Sequence, residues 1–213
     1  MSSTPRQVLR YADSGWAEAV GGHVALDLAN TVSWRPDPAR AVDRLPDASA
    51  LVEWARFVGL VDDHRAAAFL REIADDPVAA DRSVARVRRA RELAYRVLAP
   101  MARGEAPDPT DVEALHRWLL GVLRRASVTS LLPLDWSTGL GSVHDVADEL
   151  GLHVWRLLER EDAARLRQCR DGACGWLFLD RTKNASRVWC SSGDCGNRAR
   201  ARRHYAAHKV ATR

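Results

Sequence analysis

Apolar residues recur at the three-and-four spacing of helices through most of the chain from Gly21 onward. The run that follows Gly21-Gly22-His23, from Val24 to Val32, predicts a short helix, with its β-branched residues leaving a strand open. Leu51, Trp54, Ala55 and Val58 share one helical face behind Asp47, a good N-cap, until Gly59 ends the turn. Two further helices are predicted from Asp63 to Ala74 and from about Val78 to Met101, the second striped by Val84, Val87, Ala94, Val97, Leu98 and Met101. Pro100, Gly104 and Pro107 predict a break, after which Asp108-Pro109 supplies an N-cap and first-turn proline for a helix reaching Arg125. Val128, Leu131, Leu132, Leu134 and Trp136 then lie in a β-compatible stretch followed by Gly139 and Gly141, which predicts one or two strands. Ser142 caps a last long helix to about Arg160, with Val143, Val146, Ala147, Leu150, Val154, Leu157 and Leu158 on its buried face. Beyond a charged hinge, Trp176-Leu177-Phe178-Leu179 reads as a strand, and the segment after Gly196 as a helix with no breaker.

The expected fold is therefore mainly α with a small β element. A polar leader over 1–20 precedes a helical domain over 21–160, and a C-terminal four-cysteine module over 161–213 combines a short β-hairpin with a basic helix. A length of 213 residues with 46% hydrophobic content suits one ordinary domain and a small appendage. The net charge of +4 conceals an asymmetry, because residues 181–213 hold nine Lys or Arg against one acid, Asp194, leaving the remainder net acidic. That contrast points to a polyanionic partner for the tail.

Four cysteines, Cys169, Cys174, Cys190 and Cys195, form two pairs with four residues inside each pair. Two short loops of this kind can each deliver two thiolates to a tetrahedral zinc ion, and Gly172, Gly193, Asp171 and Asp194 supply turn chemistry inside them. Two disulfides are the alternative, and belong mainly to exported chains. Met1 to Asp13 are polar and lack a signal-peptide core, and no run is long enough to cross a membrane, so the expectation is a cytoplasmic protein with one structural zinc. His204 and His208, four residues apart, are weaker candidate ligands beside four thiolates.

On the helix after Cys195, Arg198, Arg202, Tyr205 and Lys209 fall within a narrow arc, with Arg200 and Arg203 outside it. Ala199, Ala206 and Val210 form a modest apolar patch suited to the zinc core. Together with Arg187 from the preceding loop, with Arg181 and Lys183 as extensions, Arg198, Arg200, Arg202, Arg203 and Lys209 are the candidate nucleic-acid contacts.

The segment Cys169-x4-Cys174-Gly-Trp176-Leu-Phe178-Leu-Asp180-Arg-x2-Asn184-x-Ser186-Arg187-x-Trp189-Cys190-Ser191-x3-Cys195-Gly196-Asn197-Arg198 closely resembles the CGNR zinc finger, over about residues 161–208. Gly22, Leu26-Asp27-x-Ala-Asn30-Thr31, Arg35, Leu51 and Trp54 resemble the opening of the ABATE domain that usually precedes that finger. The resemblance implies a bacterial, stress-linked transcription regulator whose finger binds DNA and whose larger domain senses a signal. Val188 departs from the family pattern, where arginine is common.

In the larger domain Asp27, Asn30 and Trp34 are expected to share a helical face with Thr31 adjacent, lining either a pocket for a small effector or a satisfied buried polar network, the latter favoured. Asp180 is expected to cap a turn or orient Arg187, and Trp176 and Trp189 to form the finger's small core. No Walker loop, Gly-x-Ser-x-Gly or His-Glu-x-x-His occurs, so the expectation is a non-enzyme. DNA is the expected partner and a homodimer is compatible with the sequence. An RNA binder or a zinc- and redox-dependent protein-interaction module is the alternative.

Overall fold

The computed structural model describes residues 19–159 and 161–211, without the side chains of 161, 162 and 206–211. The leader expected over 1–20 thus lies almost wholly outside the described residues. Helix α1 (Val24–Ala29) leads through strand β1 (Val32–Ser33), paired with β2 (Val42–Asp43), into α2 (Ala48–Phe57), α3 (Asp63–Asp75), α4 (Pro77–Ala102) and α5 (Pro109–Arg125). The antiparallel hairpin β3 (Ser127–Leu131) and β4 (Leu134–Ser137) precedes α6 (Val146–Glu159). The antiparallel pair β5 (Leu166–Gln168) and β6 (Leu177–Leu179) precedes α7 (Cys195–Ala211).

Local chemistry sets these boundaries. Asp47, Asp62, Asp76 and Asp108 each accept a hydrogen bond from a first-turn amide, at 2.8 Å from Ala50 and 2.7 Å from Arg65, for example. Ser142 and Asp145 form a capping box ahead of α6, whose entry is a single 3-10 turn, Val143–Asp145. One expectation changes. The helix expected over 24–32 stops at Ala29, because Val32 enters a strand. The helix expected to about Met101 ends at Ala102, inside the expected break, since a proline in the last turn forfeits a single backbone bond, and the Pro100 carbonyl accepts from the amides of Arg103 and Glu105.

Helix α4 is the spine. Its first half meets α2, α3 and the start of α6 around Leu51, Trp54, Phe69, Val84 and Leu150. Its second half meets α1, α5 and α6 around Leu26, Ala94, Leu98, Leu115 and Leu157. Leu166, Leu177 and Leu179 of the last hairpin lie in this second core, so the cysteine module is packed into the helical body. Each such leucine contributes about 1.5–3 kcal/mol when fully buried. Among the described residues no helix is long and apolar enough to cross a membrane.

Candidate metal centre and basic helix

The β5–β6 connection carries Cys169 and Cys174, and Cys195 opens α7 five residues after Cys190. Backbone bonds shape the turns, with the Cys169 amide donating to the Trp176 carbonyl at 2.8 Å and the Cys174 amide to the Asp171 carbonyl at 2.8 Å. All four cysteines are free and buried, and their Sγ atoms lie within 4.8 Å of one another. Cys190 Sγ stands 3.7 Å from Cys174 Sγ and 3.4 Å from Cys195 Sγ. A tetrahedron with zinc–sulfur bonds of about 2.3 Å has edges of roughly 3.8 Å, so the four thiols are placed to hold one zinc ion. Hydrogen bonds from Cys174, Cys190 and Cys195 push the Cys169 thiol pKa down, and the same crowding, Cys169 first, pushes Cys190 and Cys195 up. Four thiolates would complete a tetrahedral shell, so a zinc ion held there would serve a structural role.

Each residue of the Cys195-Gly196-Asn197-Arg198 signature has a physical task. Cys195 is a ligand at a helix N-terminus, where the helix dipole favours a thiolate. A Cβ on Gly196 would stand 3.2 Å from Trp189 Cδ1, so glycine lets that ring close over the first turn. Asn197 Nδ2 donates to the Gly193 carbonyl at 2.5 Å, bracing the second knuckle. Arg198 donates from Nη2 to Cys195 Sγ at 2.7 Å and from Nε to Asp171 at 3.1 Å, pairs with Asp194, and lies 4.5 Å over the Trp34 ring. Burial opposes its charge, and its hydrogen bond to Asp171 with the fields of Cys195, Asp194 and Asp171 outweighs that, raising the guanidinium pKa. Bonds of this kind orient metal ligands and add to their affinity.

The body supplies the other half of the platform. Strand β6 has β5 on one edge, and on the other the Asn30 amide brackets Leu177, donating to its carbonyl and accepting from its N–H, both at 2.8 Å. The Leu179 amide donates to the Gly21 carbonyl at 2.9 Å, and the Gly21 amide donates to Asp27 Oδ1 at 2.8 Å. Trp176 Nε1 donates to the Val32 carbonyl at 3.1 Å. The segment around α1 therefore acts as a receptor for the finger's strand.

Residues 22–167 match the ABATE family, described as "Putative stress-induced transcription regulator". The chain belongs to the ABATE family. Residues 165–208 match the CGNR zinc finger, and among curated proteins no match is found. Asp27 and Asn30 of the ABATE opening thus serve the contacts that hold β6, and the two matched regions overlap at residues 165–167, at the start of β5.

The six cations expected to meet nucleic acid separate. Arg187 turns inward: its guanidinium lies 4.2 Å over the buried Phe178 ring and donates to the carbonyls of Trp189, Val20 and Cys190. Burial lowers its pKa. Arg198 is consumed by the knuckle. In both, carbonyls, a thiol or carboxylates of the protein already occupy the donors that were expected to meet phosphate. Arg200, Arg202 and Arg203 are exposed on α7 with Tyr205. Arg202 reaches back to the buried Asp171 at 2.9 Å, and Arg200 donates to the Ser192 carbonyl at 3.0 Å and to Asn197. The side chains of Lys209, His208, Ala206 and Val210 lie outside the described residues.

Of the four residues read as lining a pocket or, by preference, as a satisfied buried polar network, Asp27, Asn30 and Thr31 are satisfied by hydrogen bonds within the protein. Thr31 Oγ1 donates to the Leu28 carbonyl at 2.7 Å and accepts from Arg91 at 3.0 Å, while Asp27 and Asn30 serve β6. Trp34 has left the helix, with φ at 58°, and stacks under Arg40 and Arg198. None of the four lines either cleft described in the structure. Asp180, fully buried, accepts from the Thr182 amide at 3.0 Å and the Arg187 amide at 2.8 Å, so it caps the turn as expected. Sequence reasoning missed Asp171 as the anchor of α7; an acid inside a loop facing an arginine-rich helix was the available signal.

Proposed function

We propose that this ABATE protein is a non-catalytic transcription regulator whose α7 lies against duplex DNA and whose helical body senses a small effector. The observation that carries the reading is the exposure of Arg200, Arg202 and Arg203, Arg202 while also paired with Asp171, on a helix whose first turn contains one of the four clustered cysteines. Zinc and Arg198 hold that turn, so the exposed guanidiniums stand on a fixed base. Phosphate contacts position such a helix and carry most of its affinity. With Lys209 included, four cations neutralise about four phosphates, and log affinity falls with log salt at a slope of roughly −3 to −4. The family description supports the regulator reading.

Selection of bound duplexes from a random pool by the zinc-loaded full chain tests it. An enriched duplex that outcompetes single-stranded RNA at matched salt is the expected result. Recovery of no duplex, or stronger binding to RNA, overturns it.

A further inference from the structure

Helix α4 carries a stripe that the zinc module does not use. Arg86, Arg89, Ala90 and Leu93, at helical spacing, join Trp118 of α5 and Ala147 of α6 around a cleft of about 240 Å³. Ala90 and Ala147 are buried and Leu93 and Trp118 half-buried, so the walls are apolar. The charges at the rim are unbalanced. Asp148 accepts from Arg86 at 2.9 Å and twice from Arg125 at 2.7 Å, and Arg86 also donates to the His144 carbonyl at 3.1 Å. Arg89 is exposed, and no described residue bonds or pairs with it. Arg86 and Arg125 therefore share the carboxylate of Asp148, while Arg89 at the cleft has no acid partner among the described residues.

Another cleft, about 370 Å³ beside the knuckle, is larger but satisfied from within. Its Arg35 is bonded to Glu92 and the Ala29 carbonyl, its Tyr95 hydroxyl to Gly175 and Gln168, and its Arg103 to Gln168 and Glu105. A ligand there would have to displace protein partners.

We infer that the cleft between α4, α5 and α6 binds a small amphipathic carboxylate. Its apolar body lies on Leu93, Ala90, Ala147 and the Trp118 ring, and its carboxylate pairs with Arg89. Apolar walls with a few placed polar groups are the usual make-up of a small-molecule site between helices. A guanidinium with no internal acid selects an anion, because a neutral analogue gains nothing from its charge and a cationic one is repelled. The inference rests on the sensing role of the body for its purpose, and its chemistry is measured without DNA.

The test uses benzoate as probe, with benzamide and benzylamine as the neutral and cationic analogues of similar shape, titrated into the zinc-loaded full chain by calorimetry and by saturation-transfer NMR. Saturable benzoate binding at about millimolar or tighter is expected, at least tenfold weaker for benzamide, absent for benzylamine, and at least tenfold weaker in Arg89→Ala. Arg89 is exposed, so that variant keeps the wild-type melting temperature. Non-saturable benzoate signals, or binding equal for benzamide and unchanged in Arg89→Ala, overturn the inference. A protein that binds a selected duplex but not benzoate refutes the cleft alone, and one that binds benzoate but no duplex refutes the regulator reading alone.

Discussion

Removing the Asn30 amide isolates one of the contacts that join the finger's strand to the body. Both of its hydrogen bonds, 2.8 Å each, go to the backbone of Leu177, a residue with no exposed surface at the start of β6. Alanine at position 30 leaves a buried N–H and a buried carbonyl without partners, and the cavity is too enclosed for easy hydration, since Asn30 itself is 7% exposed. At about 1–3 kcal/mol per unsatisfied buried group, Asn30→Ala is expected to cost about 2–5 kcal/mol. For a chain of this size that corresponds to a melting temperature lower by roughly 5–15 °C. Thermal and urea unfolding of the zinc-loaded chain measure it, with Asn184→Ala, in an exposed loop, expected to change stability by less than about 0.5 kcal/mol. Hydrogen exchange adds a local readout, because the Leu177 amide loses its acceptor and should exchange far faster. A loss below about 1 kcal/mol with Leu177 still protected would refute the docking role given to Asn30.

Other substitutions probe the knuckle and the body separately. Arg198→Ala removes the donor to Cys195 Sγ and both acid pairings, so zinc affinity in chelator competition is expected to fall about tenfold or more, whereas a residue serving DNA alone would leave it unchanged. In Gly175→Ala the new Cβ would meet Pro36 Cδ at 3.0 Å and Tyr95 Oη at 3.1 Å with φ at +73°, and a loss of about 1–3 kcal/mol is expected in urea unfolding. Asp43 resists its own burial because the hydrogen bond from Arg91, the Leu45 amide and the charges of Arg91 and Arg88 lower its pKa. A folded pKa below the unfolded one means that its stabilisation is complete above about pH 4 and is lost as pH falls through the depressed value. Urea midpoints of Asp43→Asn should therefore fall less steeply than wild type below about pH 4; both chains release zinc over the same range, so their difference reports the carboxylate.

The sequence is most legible where a task is local. Asp47 and Asp108 announce their helices because a cap acts across three residues, and the cysteine spacing announces zinc because each knuckle closes within one turn. The periodic stripes of α4 and α6 likewise mark buried faces that the structure fills. Legibility ends where a partner is distant. Asn30 and Leu177 are 147 residues apart, and nothing periodic links a short helix to the strand that it brackets. Arg187 sits in an aperiodic loop, so its inward turn over Phe178 is invisible until the fold is known. The helical arc correctly groups Arg198 with Arg202, yet the face they share is turned toward Asp171 of the other knuckle. Charge at these positions reads as phosphate-binding in the sequence and serves partly as internal pairing in the fold.

The division of labour around α7, with Arg198 and the loop residue Arg187 holding the platform and Arg200 and Arg203 facing outward, is most directly tested by the salt dependence of duplex binding. For a duplex taken from the random-pool selection, the zinc-loaded wild type is expected to show a slope of roughly −3 to −4 in log affinity against log salt, and the double variant Arg200→Ala/Arg203→Ala a slope shallower by about two units with zinc content unchanged. An unchanged slope in that variant, or no duplex binding by the wild type, would contradict the account.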